Sequence, residues 1–343
     1  MVDNKNRMDQ ELKELLHQFK QKGLKIGLAL GSGSAKGLAH IGVIQSLNQA
    51  QIPIDLIAGT SIGAVVGSIY AAGVSASRME KIVCSMKNLN FFTLLDPTIP
   101  HSGLLNGNRA VKFLEKVALK DKSFRDLRIP FSTVATDIKT GTEVILNRGS
   151  VIKAVRASFS IPGIFTSVRY QKYFLVDGGV VDPVPVEIAK KMGADVVIAV
   201  SLTSKNPQPQ ILMMDQETGN FHTVKDLIHL KLYQDMKEKY HVVNKFDSLI
   251  EEGVNTVERK YQDVRKRLDS PHIFEVINKS IDIMEKEITS KCIAQADIVI
   301  EPKHIEEMKL FEFNHAKKVI GYGREAVWEI LPQLKEIIQQ KIN

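Results

Sequence analysis

The sequence predicts an α/β fold: a mostly parallel central sheet with helices on both faces, plus a helical insertion. Three observations carry this. Short apolar runs alternate with amphipathic helical runs from Leu24 to Gly73. Each of those apolar runs ends in a Gly/Ser-rich turn, as strands feeding helices do. A chain of 343 residues with 44% hydrophobic and 25% charged residues can bury a full core.

The elements follow in order. Met8, Leu12, Leu15, Leu16 and Phe19 fall on one face of a helix ending near Gln21. That stripe reads as a docking helix, with a membrane-surface or dimerisation role as the alternative. Leu24–Leu30 reads as a buried strand and runs into Gly31-Ser32-Gly33-Ser34-Ala35-Lys36-Gly37. A helix bearing Leu38, Ile41, Val43, Ile44 and Leu47 follows. Ile54–Ala58 is a second strand, Gly59-Thr60-Ser61-Ile62-Gly63 turns the chain, and Ala64–Ala72 is a small-residue helix. Further strands are expected at Ile129–Ala135, Thr142–Asn147, Asp195–Val200 and Asp297–Ile300, with a hairpin over Val168–Val176. A late helix is expected from Tyr322 to Gln340. The chain thus divides into an N-terminal amphipathic helix (1–22), a core (23–203), a charged insertion (204–272) and a segment completing the core (273–343). The insertion opens on a Pro/Gln linker and carries helical patterns over Val224–Lys245 and Phe246–Leu268.

The formal charge of +7 is a mild excess spread along the chain, compatible with an anionic surface or anionic substrates. No nucleic-acid partner is expected. Cys84 and Cys292 form no CxxC pair, so they read as buried thiols in a reducing compartment. No run is long enough to span a bilayer and no secretory signal is visible. The expectation is a cytoplasmic protein touching membranes from the side. The stripe Leu12, Leu15, Leu16 and Phe19, flanked by Lys13, Lys20, Lys22 and Lys25, is one candidate contact. The insertion pattern Val224, Leu227, Ile228 and Leu232 is another. The insertion and the N-terminal helix are also candidate surfaces for self-association.

Three constellations could carry chemistry. The loop Gly31–Gly37 turns backbone N–H groups outward at a helix start, which suits a phosphate or a transient oxyanion. It is not a Walker A loop, because Lys36 precedes Gly37 and Leu38 follows. A dinucleotide fingerprint stays open, though Asp55 lies at the start of the next strand rather than its end. The segment Gly59–Gly63 fits G-x-S-x-G between strand and helix. There a serine sits on a sharp turn, glycines allow close backbone approach, and a helix N-terminus faces developing negative charge. Third, Asp177 ends an apolar run and precedes Gly178 and Gly179. Such an acid is often only a turn residue. If all three motifs stand at C-terminal ends of parallel strands, however, they converge on one edge as an acyl-transfer site. His222, His229, His241, His272, His304 and His315 follow Asp177, where a hydrolase base would come, but none adjoins a Gly turn. His40 lies in the helix after the first loop, and no histidine pair has zinc-ligand spacing.

Gly31–Val43 resembles the oxyanion loop and helix of the bacterial patatin-like phospholipases, and Ile57–Ala64 resembles their nucleophile elbow. Ala157–Phe165 is similar to a loop near their site, and Val176-Asp177-Gly178-Gly179 to their second catalytic motif. Gly193–Val200 and Ala296–Ile300 resemble later core strands. The resemblance implies a patatin-like fold and a Ser–Asp dyad without histidine, Ser61 as nucleophile and Asp177 as its partner. Backbone N–H groups of Gly33, Ser34 and Ala35, with Lys36 beside them, would form the oxyanion hole. Gly31, Gly37, Gly59, Gly63 and Gly178 would shape the turns. The implied reaction is hydrolysis of a fatty-acyl ester through an acyl-serine, with a lipid substrate and no cofactor. The family usually has glycine where Ser32 and Ser34 stand and often arginine at Lys36. A serine at position 34 would be strained if that position needs a positive φ. Two other classes remain: a nucleotide-binding oxidoreductase using the first loop, and a non-catalytic lipid- or protein-binding descendant of the hydrolase.

Overall fold

The computed structural model describes residues 2–85, 96, 103–203, 212–214, 221–223, 273–305 and 315–343. The chain divides into two compact units, 1–205 with 280–343, and 206–279.

In the larger unit the strands are β1 (Ile26–Leu30), β2 (Leu56–Thr60), β3 (Gly103–Leu105), β4 (Phe131–Asp137), β5 (Thr142–Leu146), β6 (Gly163–Phe165), β7 (Val168–Tyr170), β8 (Tyr173–Asp177) and β9 (Val196–Val200). In the smaller unit, β10 (Leu212–Met214) and β11 (Phe221–Thr223) form an antiparallel pair. The last strand, β12 (Ile298–Ile300), belongs to the larger unit. The helices are α1 (Val2–Gln21), α2 (Ala39–Gln49), α3 (Ile62–Ala71), α4 (Ala76–Ser85), α5 (Asn108–Leu114), α6 (Val151–Ser158), α7 (Val186–Lys191), α8 (Ile273–Ile293) and α9 (Ala316–Ile342). The helical patterns expected over Val224–Lys245 and Phe246–Leu268 lie outside the described residues.

The main sheet runs β12-β9-β1-β2-β4-β8-β7, with β5 also on β4. From β12 to β4 every pairing is parallel. β1, β2, β4 and β9 are buried along their whole length, as strands covered on both faces must be. Alternate residues separate two cores. Ile26, Leu28, Leu30, Ile57, Val196, Ile198 and Val200 enter the larger one. Ala29, Leu56, Ala58, Val197 and Ala199 enter the smaller, against Val184, Val186, Ile188 and Ala189 around α7. Cys292 and Ile293, at the end of α8, also pack on that second face.

Two glycines let α2 and α9 cross at backbone contact. A Cβ at Gly42 would run into the Ile320 carbonyl, and one at Gly323 into the Ala39 carbonyl. The N-terminal stripe belongs to this same core. Leu12, Leu16 and Phe19 are buried, Leu15 is half-buried, and Lys335 of α9 pairs with Glu11. Packing therefore consumes the apolar face that the sequence offered as a membrane contact. Among the described residues no helix is long and apolar enough to cross a membrane. Cys84 and Cys292 are free thiols, half-buried rather than buried.

The β7–β8 hairpin forms as expected, closed by Gln171 and Lys172. The direction of β8 within the sheet differs from expectation. β8 runs antiparallel to β4 instead of joining the parallel set. β5 occupies one edge of β4 along Thr133–Asp137, so β2 and β8 must share the other. β2 takes Phe131–Val134, and β8 takes Ala135–Asp137. Their C-terminal ends therefore meet head to head.

Phe19 is fully buried, so Phe19→Ala should cost about 3–5 kcal/mol, read by denaturant unfolding. A loss under 1 kcal/mol would mean that α1 is not part of the core.

Candidate active site

The head-to-head junction sets the two central residues. Thr60 pairs with Val134 and Asp177 with the adjacent Ala135, so the residue after Thr60 confronts Asp177. That residue is Ser61, whose hydroxyl donates to Asp177 Oδ2 at 2.6 Å. Both residues are only 6% exposed, which keeps the bond out of bulk water.

Ser61 holds φ 55° and ψ −118°, a conformation L-residues rarely adopt and one that costs about 1–3 kcal/mol. Its surroundings over-determine it. The Ser61 N–H donates to Ser158 Oγ at 2.9 Å. The Thr60 hydroxyl donates to the Asp182 carbonyl at 2.9 Å and the Thr133 hydroxyl to the Gly59 carbonyl at 2.8 Å. Both motif glycines are needed for space. A Cβ at Gly59 would lie 2.7 Å from the Gly63 carbonyl oxygen, and one at Gly63 would collide with the Leu30 carbonyl. α3 begins at Ile62, so its positive N-terminal end abuts the serine.

Asp177 is held from several sides. Its Oδ1 accepts the Gly179 N–H at 2.8 Å. Its N–H donates to the Ser160 carbonyl at 2.9 Å, and its carbonyl accepts the Thr136 hydroxyl at 2.8 Å. Thus α6 and the turn after it grip both partners, Ser61 through Ser158 and Asp177 through Ser160. Buried Arg156 braces that turn. Its guanidinium donates to Ser160 Oγ and to the carbonyls of Asn106 and Thr166, and it lies near the rings of Phe159 and Phe165. Burial pushes the Asp177 carboxyl up to about 7, against the opposing hydrogen bonds from Ser61 and Gly179. A carboxyl group at that value can gain or lose a proton near neutrality.

The Gly31–Gly37 loop lies alongside. β1 ends at Leu30, which pairs with Gly59, so the loop leaves the sheet next to the elbow. Gly31 passes so close to β9 that a Cβ would lie 2.8 Å from the Val200 carbonyl oxygen. A Cβ at Gly37 would run into Ile62, so the loop's 3-10 turn, Ser34–Leu38, sits on the start of α3. Gly178 likewise crosses β4 closely, 2.5 Å from the Val134 carbonyl oxygen by the same measure. Several loop donors are engaged: Gly31 N–H with the Val200 carbonyl, Ser32 N–H with the Pro183 carbonyl, and Lys36 N–H with the Gly33 carbonyl. The N–H groups of Gly33 and Ala35 find no backbone acceptor among the described residues. Gly33 has φ 140° and Ser34 φ 50°. Position 34 therefore does require the left-handed conformation, and serine meets that requirement under strain.

His40 is fully buried and donates from Nε2 to the Gly31 carbonyl at 2.7 Å. Desolvation lowers its pKa to about 4, so it is a neutral peg under the loop, not a base for Ser61. His304 lies beside Tyr322, and His315 is the residue immediately before α9. The side chains of His222, His229, His241 and His272 lie outside the described residues. Asp55, just before β2, accepts the Ile26 N–H at 2.8 Å, a structural bond at the far end of the strand from the Gly31–Gly37 loop. Among the described residues no cluster of three His, Cys, Asp or Glu could hold a metal.

The family model for patatin-like phospholipases matches residues 28–190. An uncharacterized NTE family protein of Mycobacterium tuberculosis is 32% identical over 336 residues, covering 90% of this chain and 91% of that protein. The chain belongs to the patatin-like phospholipase family. The human patatin-like phospholipase domain-containing protein 6 is 35% identical over 189 residues, which span 54% of this chain and 14% of that protein. The crystal structure of VipD from Legionella pneumophila covers 90% of this chain and 66% of its own, with 13% identity and a TM-score of 0.43. Against this patatin-like frame, one carboxyl group beside Asp177 went unnoticed in the sequence. Glu285 of α8 accepts the Ser32 hydroxyl and lies against Gly179. It sits in a charged helical run with no glycine turn or strand end to single it out.

Ser158→Ala removes the side-chain acceptor of the buried Ser61 N–H and should cost about 1–3 kcal/mol of stability. Chemical denaturation checks this; an unaltered midpoint would mean that the elbow is held by other contacts.

Proposed function

We propose that this protein is a serine lipid acyl hydrolase, of phospholipase, lysophospholipase or carboxylesterase type, that works through a Ser61–Asp177 dyad. The observation that carries the reading is the direct 2.6 Å bond from the Ser61 hydroxyl to a buried carboxylate. Membership of the patatin-like phospholipase family supports a fatty-acyl ester as the substrate class.

In this reading the ionised Asp177 carboxylate takes the Ser61 proton as Oγ attacks the acyl carbonyl carbon. The carbonyl oxygen becomes an oxyanion, stabilised by N–H groups of Gly33, Ser34 and Ala35 and by the N-terminal end of α3. Collapse expels the alcohol, which takes the proton from Asp177, and leaves an acyl-serine. Water then repeats the cycle with Asp177 as base and releases the fatty acid. The Lys36 charge stands beside the loop. The neutral Nδ1 of His40, buried without a partner among the described residues, has no part in the transfer. No cofactor is invoked. The membrane contact proposed for this substrate class does not run through the Leu12, Leu16 and Phe19 stripe, which the core has taken.

Ser61→Ala should lower hydrolysis of short-chain esters by at least about 10³-fold with folding intact, and Asp177→Asn nearly as far. Turnover by purified Ser61→Ala above about a tenth of the parent rate would end this reading. In the parent, kcat/KM should climb as pH rises through about 7, because only the ionised Asp177 accepts a proton. A rate already flat at pH 5 would contradict the assignment of the base. Ser34→Gly keeps the N–H and relieves the positive φ, so activity should hold or rise and stability should gain up to about 1 kcal/mol. A large loss of rate would show that the hydroxyl itself takes part.

A further inference from the structure

The group least explained by a two-residue mechanism is Glu285. α8 packs its C-terminal end on the smaller core through Cys292 and Ile293. Two turns earlier it delivers a half-buried carboxyl group to the end of the sheet where Ser61 and Asp177 meet. There the carboxyl touches two parts of the site. It accepts the hydroxyl of Ser32, whose N–H is bound to the Pro183 carbonyl. It also lies against Gly179, close enough that an added Cβ there would stand 2.7 Å from Glu285 Oε1 and 3.2 Å from Asp177 Oδ1. Gly179 is the residue whose N–H holds Asp177. Glu285 therefore bridges the oxyanion loop and the turn that orients the base.

We propose that Glu285 is a positioning residue for the hydrolysis: as a neutral acid it seats Ser32 and the Gly179 turn against the dyad, and its ionisation unseats them. The proposal rests on the hydrolase reading for its consequence in rate, but not for its electrostatics. Two carboxylates this close cannot both ionise without strong repulsion. The charged groups acting on Glu285 among the described residues are Asp177 from β8, Asp282 from its own helix and Lys36 from the loop. Burial first, then the two acids, push Glu285 up to about 8, and Lys36 opposes them only in part. The pair thus works with one proton: Asp177 ionised as base, Glu285 protonated as spacer. That microstate is populated above the value for Asp177 and below that for Glu285, a window near pH 7–8.

An acid raised in the folded state contributes stability that is complete below its unfolded value, here 4.5, and lost as pH rises through about 8. Glu285→Gln keeps an oxygen for the Ser32 hydroxyl and cannot ionise.

The test compares parent, Glu285→Gln and Glu285→Ala, using kcat and KM on p-nitrophenyl butyrate from pH 5 to 9.5 and melting temperature from pH 5 to 8.5. The parent should lose kcat above about pH 8. Glu285→Gln should keep at least about a third of the parent rate at pH 7, hold it to higher pH and show a shallower fall of melting temperature. Glu285→Ala should lose about 10-fold or more in kcat with KM little moved. A Glu285→Gln protein with the parent's alkaline limb and melting slope would overturn the proposal. So would a folded Glu285→Gln as inactive at pH 7 as Glu285→Ala, because the carboxyl would then do chemistry itself. If the parent hydrolyses no ester, the hydrolase reading fails, and the melting slopes alone decide whether Glu285 is held neutral.

Discussion

β4 gives one edge to β2 as far as Val134 and to β8 from Ala135 onward. Because β5 fills the opposite edge, neither strand has another place to go. A chain that ends β2 on a G-x-S-x-G turn and β8 on an aspartate must then bring hydroxyl and carboxylate into contact. The glycines serve that junction by removing side chains where backbones cross: Gly59 against Gly63, Gly63 against β1, and Gly178 against β4. The strained backbone at Ser61 persists because Ser158, Thr60 and Thr133 satisfy the polar groups around it.

The same burial that protects the contact makes its electrostatics. Asp177 and Glu285 are both displaced upward first by desolvation, and Glu285 further by the charges of Asp177 and Asp282. A carboxylate kept weakly acidic can accept a proton near neutrality, which is the role the proposed dyad gives Asp177 in place of an imidazole. His40 illustrates the opposite use of burial. Desolvation keeps it neutral, and its bond to the Gly31 carbonyl leaves it supporting the loop from beneath. Arg156 does comparable structural work, holding the Ser158–Ser160 segment that grips both Ser61 and Asp177.

Much of this was legible in the sequence, because the signals are local. Continuous apolar runs marked β1, β2, β4 and β9, and the turn chemistry at Gly59–Gly63 identified the elbow. Ser61 stands out from its own neighbours, whereas Asp177 reads locally as a turn residue and stands out only beside the other two motifs and through the family resemblance. What the local signals leave open is the choice of long-range partner. The Asp177 run reads equally well as a parallel or an antiparallel strand, since alternation carries no direction; only pairing with Ala135–Asp137 decides it. The stripe Leu12, Leu16, Phe19 reads the same whether a membrane or α9 covers it. The strain at Ser34 depended on a φ that sequence states only as a condition. Glu285 was invisible because an acid in a charged helix looks solvated until the fold turns it inward.

The central claim is that Ser61 forms an acyl-enzyme with Asp177 as its only base. The most direct measurement is rapid acid quench during turnover of a fatty-acyl p-nitrophenyl ester, followed by peptide mass spectrometry. The account predicts a stoichiometric acyl adduct on the peptide carrying Ser61, formed more slowly below pH 7 and not at all in Asp177→Asn on the same timescale. Turnover without any adduct on that peptide, or an adduct that forms equally fast in Asp177→Asn, would contradict it.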